Sequence, residues 1–347
     1  MRLGVVWQPG SNAQYRAFQP MKAMLRRGHQ VVWPPDEIGA ADPRRLAGCE
    51  LVHVFRRSDR QTRQTLAELL RAGIPVTYDN DDDFTTAPAV FENYRGEGRR
   101  IFAETVKVAR VARWFSTTNE LLAQRYRAAG VKRVEVIANH LVPDALRSRH
   151  PHDGVVIGWI AAREHRFDAS ALNIAGALRR VVEKHPHVRV ECIGVDLRLA
   201  HRYRHTDYVD FEQLPDRVSR FDIGIAPLAD IPFNRARSDI KLKEYAASGV
   251  PWLASPVRPY ASLGPAQGGK LVPDDGWFEA LDGLVSRPHE RDTLGEAGRR
   301  WARGQTMEAI AGRWEELFEN AVESSGRPAQ LRPGLVVRVR APGRVAG

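Results

Sequence analysis

The sequence predicts an α/β protein made of two doubly wound, Rossmann-like domains that face an interdomain cleft. Short apolar segments alternate with amphipathic helical segments, a pattern typical of parallel sheets covered by helices on both faces. The alternation is interrupted by a polar stretch at residues 146–154 and then begins again. A chain of 347 residues therefore divides into two domains of ordinary size, each able to bury a core.

The first domain is expected to span residues 1–150. Its strands are predicted at residues 3–7, 30–33, 50–55, 75–79, 113–117 and 133–138, and its helices at residues 15–27, 61–72, 99–112 and 119–129. Gly28, Gly73 and Gly130 each follow a predicted helix. Glycine commonly occupies this position because the chain often turns into a left-handed conformation there.

The second domain, residues 151–305, repeats the alternation. Strands are predicted at residues 155–161, 189–194, 208–211, 221–227 and 252–254, and helices at residues 168–184, 277–285 and 290–303. A last helix at residues 307–323 occupies most of the segment 306–325. Residues 326–347 form an arginine-rich tail with many glycines and prolines, which we expect to be flexible.

Composition narrows the possible partners without choosing among them. The formal charge of +10 favours an anionic partner, which could be a nucleic acid, an anionic lipid or an anionic glycan, although an arginine-rich background composition would explain it equally well. Cys49 and Cys192 fall in different predicted domains, so we expect buried thiols in a reducing compartment. No apolar stretch resembles a signal peptide or a membrane span. We expect a soluble, cytoplasmic protein, and a basic stretch at residues 95–114 leaves peripheral membrane contact open.

One segment of the second domain predicts an anion site. The strand at residues 221–227 leads through a basic loop into a helix that Gly249 and Pro251 terminate. A helix N-terminus at the carboxyl end of a parallel strand offers free N–H groups to a phosphate. Ser238 is the expected N-cap. Three cations lie near this helix start: Arg235, Arg237 and Lys241.

The same segment resembles the donor-binding segment of retaining GT-B glycosyltransferases of the large group-1 family. The likeness rests on residues 222–228 and 232–235, on Lys241, on Glu244 with the three residues after it, and on the Gly-Val-Pro at residues 249–251. The resemblance implies that Glu244 holds the ribose of a nucleotide. It also implies that the helix start, with Ser238, Asp239 and Ile240, holds the diphosphate.

The resemblance further implies an activity. A sugar would be transferred from a nucleotide diphosphate donor to a hydroxyl acceptor, with retention and without a metal or other cofactor, by a hexosyl- or pentosyltransferase. The first domain would lie on the acceptor side, the second would bind the nucleotide sugar, and the last helix would cross back to the first. Many members carry a second acid where this chain has Ala236, so the segment does not predict which sugar is used.

The loop after the strand at residues 155–161 departs from the family pattern. Trp159 and His165 stand where an arginine and a lysine are typical. Arg163 or Arg166 could supply the missing charge, because a guanidinium bonds two phosphate oxygens at once. We also expect His165 to be a candidate pyrophosphate ligand. Phe211, near the end of another predicted strand, is expected near the nucleobase.

Two candidate sites lie in the first domain. Gly10 and Ser11 form a turn after the first strand that could touch a phosphate or a sugar. The acidic run at residues 79–83 could bind a metal, contact a hydroxyl group in the cleft, or remain solvated. The two-domain layout favours hydroxyl contact. The residues expected to take part in catalysis are Asp79, Asp81, Arg163 and Lys241.

Other functions remain open from the sequence alone. The same fold could serve a nucleotide-sugar epimerase, or a non-catalytic protein that binds a nucleotide sugar or a nucleic acid. For a transferase, the acceptor could be a lipid-linked glycan, a small metabolite or modified DNA.

Overall fold

A computed structural model describes residues 1–10, 12–34, 39–91, 94 and 96–325. The predictions for Ser11 and for the tail at residues 326–347 lie outside these residues. The chain forms two compact units, and each is discontinuous in sequence. The first contains Met1–Asp81, Arg100–Ala138 and the described residues from Ile310 to residue 325. The second contains Asp82–Arg99 and Asn139–Ala309.

The first unit is built on a six-stranded parallel sheet. The strands are β1 (Arg2–Trp7), β2 (Gln30–Val32), β3 (Leu51–Phe55), β4 (Val76–Asp79), β5 (Trp114–Thr117) and β6 (Val134–Val136), in the order β2-β1-β3-β4-β5-β6. A π-helix at Gln14–Phe18 precedes the helices α1 (Gln19–Arg26), α2 (Pro43–Leu46), α3 (Arg60–Arg71), α4 (Gly98–Val111) and α5 (Glu120–Ala128). Apolar strand residues such as Val52, Val54 and Phe115 are completely buried, as expected for a sheet with both faces covered.

The second unit contains another six-stranded parallel sheet. Its strands are β7 (Val155–Ala161), β8 (Val188–Gly194), β9 (Tyr203–Thr206), β10 (Ile223–Ala226), β11 (Trp252–Ala254) and β12 (Gly269–Leu271), in the order β12-β11-β10-β7-β8-β9. Its helices are α6 (Arg166–Ala171), α7 (Ile174–Lys184), α8 (Leu214–Val218), α9 (Pro232–Arg235), α10 (Ile240–Ala247), α11 (Trp277–Ser286) and α12 (Pro288–Ala302), and α13 (Met307–Glu323) follows. The predicted α/β class with two doubly wound parallel sheets is confirmed.

Two predicted elements of the second unit are wrong, and β12, α8 and α9 were not predicted. The strand expected at residues 208–211 is wrong: β9 ends at Thr206, Tyr208 is 73% exposed, and Phe211 begins a short 3-10 helix. The single helix expected at residues 168–184 is also wrong, because α6 ends at Ala171 and Asn173 adopts a left-handed backbone with φ of 48° before α7 begins. Asparagine tolerates this conformation better than most residues with a Cβ.

The strand orders locate the switch points of the two sheets. In the second unit, β8 and β9 follow β7 on one side, whereas β10 pairs with β7 on the other. In the first unit, β2 and β3 flank β1 in the same way. Ligands of open parallel sheets bind beyond the carboxyl ends of the strands at such points. The loops after β7 and β10 therefore form the expected ligand-binding edge of the second sheet.

The end of α13 belongs to the first unit. Trp314 is fully buried, and its ring lies 5.6 Å from the ring of His53 between centroids. The guanidinium of Arg16 sits 4.9 Å from the centre of the same indole. Within the described part of the chain, no helix combines the length and the apolar character needed to cross a membrane.

Candidate functional site

Asp168 joins the two loops at the switch point of the second sheet. It follows β7 in sequence and is 1% exposed. One carboxylate oxygen accepts hydrogen bonds from the Ala229 N–H in the loop after β10, at 2.9 Å, and from the side-chain amide of Asn234 in α9, at 2.7 Å. The other oxygen lies 2.7 Å from Nδ1 of His165. Burial acts to raise the pKa of Asp168, but the hydrogen bond from His165 and the other partners lower it, so the carboxylate stays ionised.

His165 is a neutral ring in this site. Burial lowers its pKa to about 4, and the charges of Lys241 and Arg237 act in the same direction. Because a carboxylate only accepts hydrogen bonds, the imidazole proton must sit on Nδ1 and face Asp168. Nε2 is then an acceptor. His165 lies where the sequence predicts a pyrophosphate ligand, but it brings no positive charge at neutral pH.

Two cations with unused donors face the same region. Lys241 is half-buried and makes no hydrogen bond or ion pair with any described residue, and burial together with the charge of Arg237 lowers its pKa to about 8. Nη2 of Arg237 lies 3.3 Å from Glu164, and its guanidinium lies over the ring of Phe233. Nε of Arg237 is buried without a hydrogen-bond partner. Burial opposes the charge of Arg237, yet nearby carboxylates, Glu164 foremost, raise its pKa.

The start of α10 adds backbone donors to these side chains. The helix begins at Ile240 with Asp239 as its N-cap, and no side chain caps it. Among the described residues, the N–H groups of Ile240 and Lys241 have no acceptor, as is usual at a helix start. The prediction of Ser238 as the N-cap is wrong by one residue. The Ser238 hydroxyl instead accepts a hydrogen bond of 3.1 Å from Asn139.

Tyr245 holds α10 against the ends of the strands. Its hydroxyl donates to the carbonyl of Ile225 in β10, at 2.9 Å, and accepts from the N–H of Ile160 in β7, at 3.1 Å. A Cβ at Gly224 would lie 2.6 Å from the Tyr245 ring, so glycine allows this close packing. Glu244, the neighbour of Tyr245, is half-buried, and its charge acts on Lys241 by raising the pKa of the ammonium.

Several predicted ligands point elsewhere. Arg163 is largely exposed and lies 3.5 Å from Asp207. Arg235 forms two contacts with Asp230, at 2.6 and 2.8 Å. Of the other predicted residues, Arg166 is exposed at the start of α6, and Phe211 is half-buried at the start of its 3-10 helix. The structure therefore brings His165, Arg237 and Lys241 together and directs the guanidinium groups of Arg163 and Arg235 to surface carboxylates.

Sequence reasoning missed the residues that support the site. Asp168 was expected only as the start of a helix, and Asn234 and Glu164 were not expected to have any role. The contacts of Asp168 with Ala229 and Asn234, and of Glu164 with Arg237, join residues 61 to 73 positions apart in sequence. The one local sign of such a residue is a polar side chain in the segment after β7 or β10. Many residues with no role in the site have the same property, so the sign does not single out these three.

The acidic run of the first unit is used internally. Asp79 is fully buried between Arg16 and Ser116: Arg16 donates to both carboxylate oxygens, at 3.0 and 2.5 Å, and the Ser116 hydroxyl donates at 2.5 Å. These partners engage both carboxylate oxygens of Asp79, and its contact with a substrate stays a prediction. Asp81 is also buried and pairs with Arg56 at 2.5 Å.

The later acids of the run belong to the second unit. Asp82 accepts a hydrogen bond of 2.6 Å from the Tyr94 hydroxyl. Asp83 caps the 3-10 helix at Phe84–Thr86. No group of three or more His, Cys, Asp or Glu side chains in the described ranges could hold a metal ion.

Gly10 lies in the turn after β1, at the switch point of the first sheet. Its φ is 147°, and a Cβ built on it would meet no atom within 4 Å. The turn is closed by a hydrogen bond of 3.0 Å from the Ala13 N–H to the Gly10 carbonyl. The space beside the glycine leaves room for a ligand but does not identify one.

Comparison with known proteins places the fold. No protein-family model matches the chain, and no curated protein matches it. Sucrose-phosphate synthase from Thermosynechococcus elongatus has a similar structure, with a TM-score of 0.69, 14% identity, and coverage of 93% of this chain and 100% of that chain. Anabaena HepE in complex with UDP follows with a TM-score of 0.62, 14% identity, and coverage of 92% and 100%.

A third similar structure is WaaG, described as a glycosyltransferase involved in lipopolysaccharide biosynthesis. Its TM-score is 0.62 at 11% identity, with coverage of 92% of this chain and 99% of that chain. Together these structures show that the chain has the GT-B fold. At such low identity the likeness concerns the fold, and function must be argued from the site.

Proposed function

We propose that this protein is a glycosyltransferase that moves a sugar from a nucleotide diphosphate donor to a hydroxyl acceptor. The observation that carries the proposal is the unpaired ammonium of Lys241 beside two free N–H groups at the start of α10. A buried guanidinium nitrogen of Arg237 lacks a partner in the same region. Such a set of donors at a switch point matches the oxygens of a diphosphate.

The cations supply most of the binding energy. A helix N-terminus stabilises an anion by about 0.3–1 kcal/mol, whereas a hydrogen bond to a charged group contributes about 1.5–3 kcal/mol. Lys241 and Arg237 therefore hold the diphosphate, and the N–H groups of α10 orient it. His165 offers only an acceptor at Nε2, so it suits a hydroxyl of the donor better than a phosphate.

Glu244 is the proposed ribose ligand. It lies one turn after the helix start, beyond the reach of the N–H groups, and a carboxylate there would repel a phosphate but accept hydrogen bonds from two hydroxyls. The HepE structures contain UDP and UDP-glucose. These complexes support a nucleotide sugar as the donor of the present protein.

The proposed chemistry needs no protein nucleophile. As the bond to the sugar breaks, negative charge grows on the diphosphate, and Lys241 and Arg237 stabilise it in place. A departing phosphate oxygen can take the proton of the acceptor hydroxyl on the same face of the sugar, which gives retention. This route uses a nucleotide sugar as co-substrate and requires neither a metal nor another cofactor.

A thermal-shift screen of nucleoside diphosphates and their sugars tests the donor site. A ligand that binds only the folded state stabilises it more as its concentration exceeds Kd. We expect one nucleobase to be preferred, and Lys241→Ala to abolish the shift. Lys184→Ala, which removes an exposed partner of Asp282, is the matched control.

Product analysis with the stabilising nucleotide sugar separates the alternatives. Transfer to an added hydroxyl acceptor, persisting in a chelator, is the expected result. Isomerisation of the sugar without an acceptor would indicate an epimerase. Binding without turnover across glycan, lipid, metabolite and DNA acceptors would indicate a binding protein. A screen with no stabilising nucleotide would reject the donor site itself.

A further inference from the structure

A basic cavity lies at the amino-terminal edge of the second sheet. It has a volume of about 700 Å³. Its lining consists of the first residues of β8 and β9, the segment before β7, and Arg220. The switch point lies at the opposite, carboxyl edge of the same sheet. The seven residues of β8 span about 20 Å at roughly 3.3 Å per residue. This cavity is therefore separate from the proposed donor site.

The lining of the cavity is strongly positive. Four arginines line it: Arg189, Arg202, Arg204 and Arg220. Among the described lining residues, Glu191 is the one carboxylate, and it lies 3.9 Å from Arg189. Arg204 and Arg220 are exposed, and their guanidinium groups make no hydrogen bond or ion pair with the described part of the chain. Their donors are available to a ligand.

Arg202 is held in a costly conformation at the cavity. Its φ is 49°, in the left-handed region that a residue with a Cβ rarely adopts. Its guanidinium donates to the carbonyl of Val182 near the end of α7, which ties the turn before β9 to that helix. Backbone outliers of this kind gather at ligand sites, where the surrounding structure maintains them.

The shape and chemistry of the lining limit the occupant. A cavity of this volume matches a small molecule, since ligand sites commonly measure about 300–1,000 Å³. Tyr203 is the one aromatic ring of the lining other than histidine, so the described residues provide no platform on which successive bases could stack. A guanidinium group can bond two oxygens of a phosphate at once, so several arginines around one cavity suit a ligand with more than one phosphate.

We propose that this cavity binds a small molecule carrying two or more phosphate groups. The inference is independent of the glycosyltransferase assignment, because it uses none of the donor-site residues. Arg204 and Arg220 provide free guanidinium groups for the phosphates. Arg202, anchored on α7, keeps the turn that shapes the cavity.

Calorimetric titration with inorganic tripolyphosphate at moderate salt tests the proposal. The Lys241→Ala protein is used alongside the natural sequence, so that binding at the donor site is removed. We expect saturable binding to persist in Lys241→Ala and to weaken at least tenfold when Arg204→Ala and Arg220→Ala are added. Inorganic phosphate should bind at least tenfold more weakly than tripolyphosphate.

Arg179→Ala is the matched control, because Arg179 is exposed on α7, has no partner among the described residues and does not line the cavity. Equal losses of tripolyphosphate affinity in this control and in the double arginine variant would overturn the proposal, because they would show that the anion is attracted to the positive surface in general. It would also be overturned if Lys241→Ala showed no saturable binding. Equal affinity for phosphate and tripolyphosphate would reject the ligand class. Unchanged thermal unfolding of the variants confirms that they fold.

Discussion

Lys241 combines a positive charge with surroundings that favour the neutral amine. Burial and the nearby Arg237 lower its pKa to about 8, while Asp168, Glu244 and Glu164 partly offset them. A bound diphosphate would relieve this strain by adding negative charge beside the ammonium. A bound anion should therefore stabilise the ammonium of Lys241 more than it would stabilise the ammonium of a fully solvated lysine.

The affinity for a nucleoside diphosphate should depend on pH through Lys241. Below about pH 8 the ammonium is charged and affinity should be level. Above that pH the free protein loses the proton, and affinity should fall by up to tenfold per pH unit. Lys241→Arg should keep its affinity in this range because guanidinium stays protonated. Calorimetry across the range checks this, and a level affinity up to about pH 10 for the natural sequence would contradict it.

Glu244 should matter only for nucleotides with ribose hydroxyls. Glu244→Ala should weaken binding of the preferred ribonucleoside diphosphate by about 1.5–3 kcal/mol, the scale of a hydrogen bond to a charged group. The 2′,3′-dideoxy nucleotide should bind the variant and the natural protein almost equally. Titration of both nucleotides into both proteins measures how far the effect of Glu244→Ala depends on the ribose hydroxyls. Equal losses for the two nucleotides would place Glu244 away from the sugar.

At the scale of elements, one buried carboxylate organises the loops that follow β7 and β10. Asp168 receives donors from His165 before α6 and from Ala229 and Asn234 around the start of α9. These loops carry Arg237 and lead into α10. The geometry of the proposed phosphate site therefore depends on a residue that does not itself need to touch the ligand.

Asp168→Ala should lower the free energy of unfolding by about 3–5 kcal/mol, because it leaves several buried donors without an acceptor. Urea unfolding of the two proteins measures the difference. Asp230→Ala removes an exposed pair with Arg235 and should change stability by less than about 1 kcal/mol. Similar effects of the two substitutions would show that the buried network does not hold the loops.

At the scale of the whole molecule, the last helix completes the unit in which the chain began. The chain passes through Asn139–Ala309 in the second unit before Ile310 returns to the first. Trp314 then packs with His53 and Arg16, residues of the first strands and helices. Folding of the first unit thus requires contacts between residues more than 250 positions apart, which slow the search for the native state.

Trp314→Ala should destabilise the first unit by about 3–5 kcal/mol, the usual loss for a large buried aromatic side chain. Hydrogen exchange should become faster in β1 and β3 and stay unchanged in β7 and β10. Arg313→Ala, one residue earlier on α13, removes an exposed pair with Glu135 and serves as the control. Faster exchange to the same extent in both units, or unchanged exchange in both, would contradict the assignment of Trp314 to the core of the first unit.

The alternation of apolar and polar residues was sufficient to predict the fold class and most elements. The predicted bounds of β7 and β11, at residues 155–161 and 252–254, and of α13, at residues 307–323, agree with the structure. These signals are local, since the period of the apolar positions reflects which face of a strand or helix is buried. The helix start near residue 240 was also visible in sequence, through its terminating Gly249 and the basic loop before it.

Only the tertiary structure decided which charged groups meet. Nothing local distinguishes Asp79, which pairs with Arg16 across 63 residues, from an acid that would face a substrate. Likewise, Arg163 and Arg237 are both loop arginines, yet one lies on the surface near Asp207 and the other is half-buried near Lys241. A residue's type states which bonds it can form. Its burial and partners, which set its charge and availability, depend on segments brought together from distant parts of the chain.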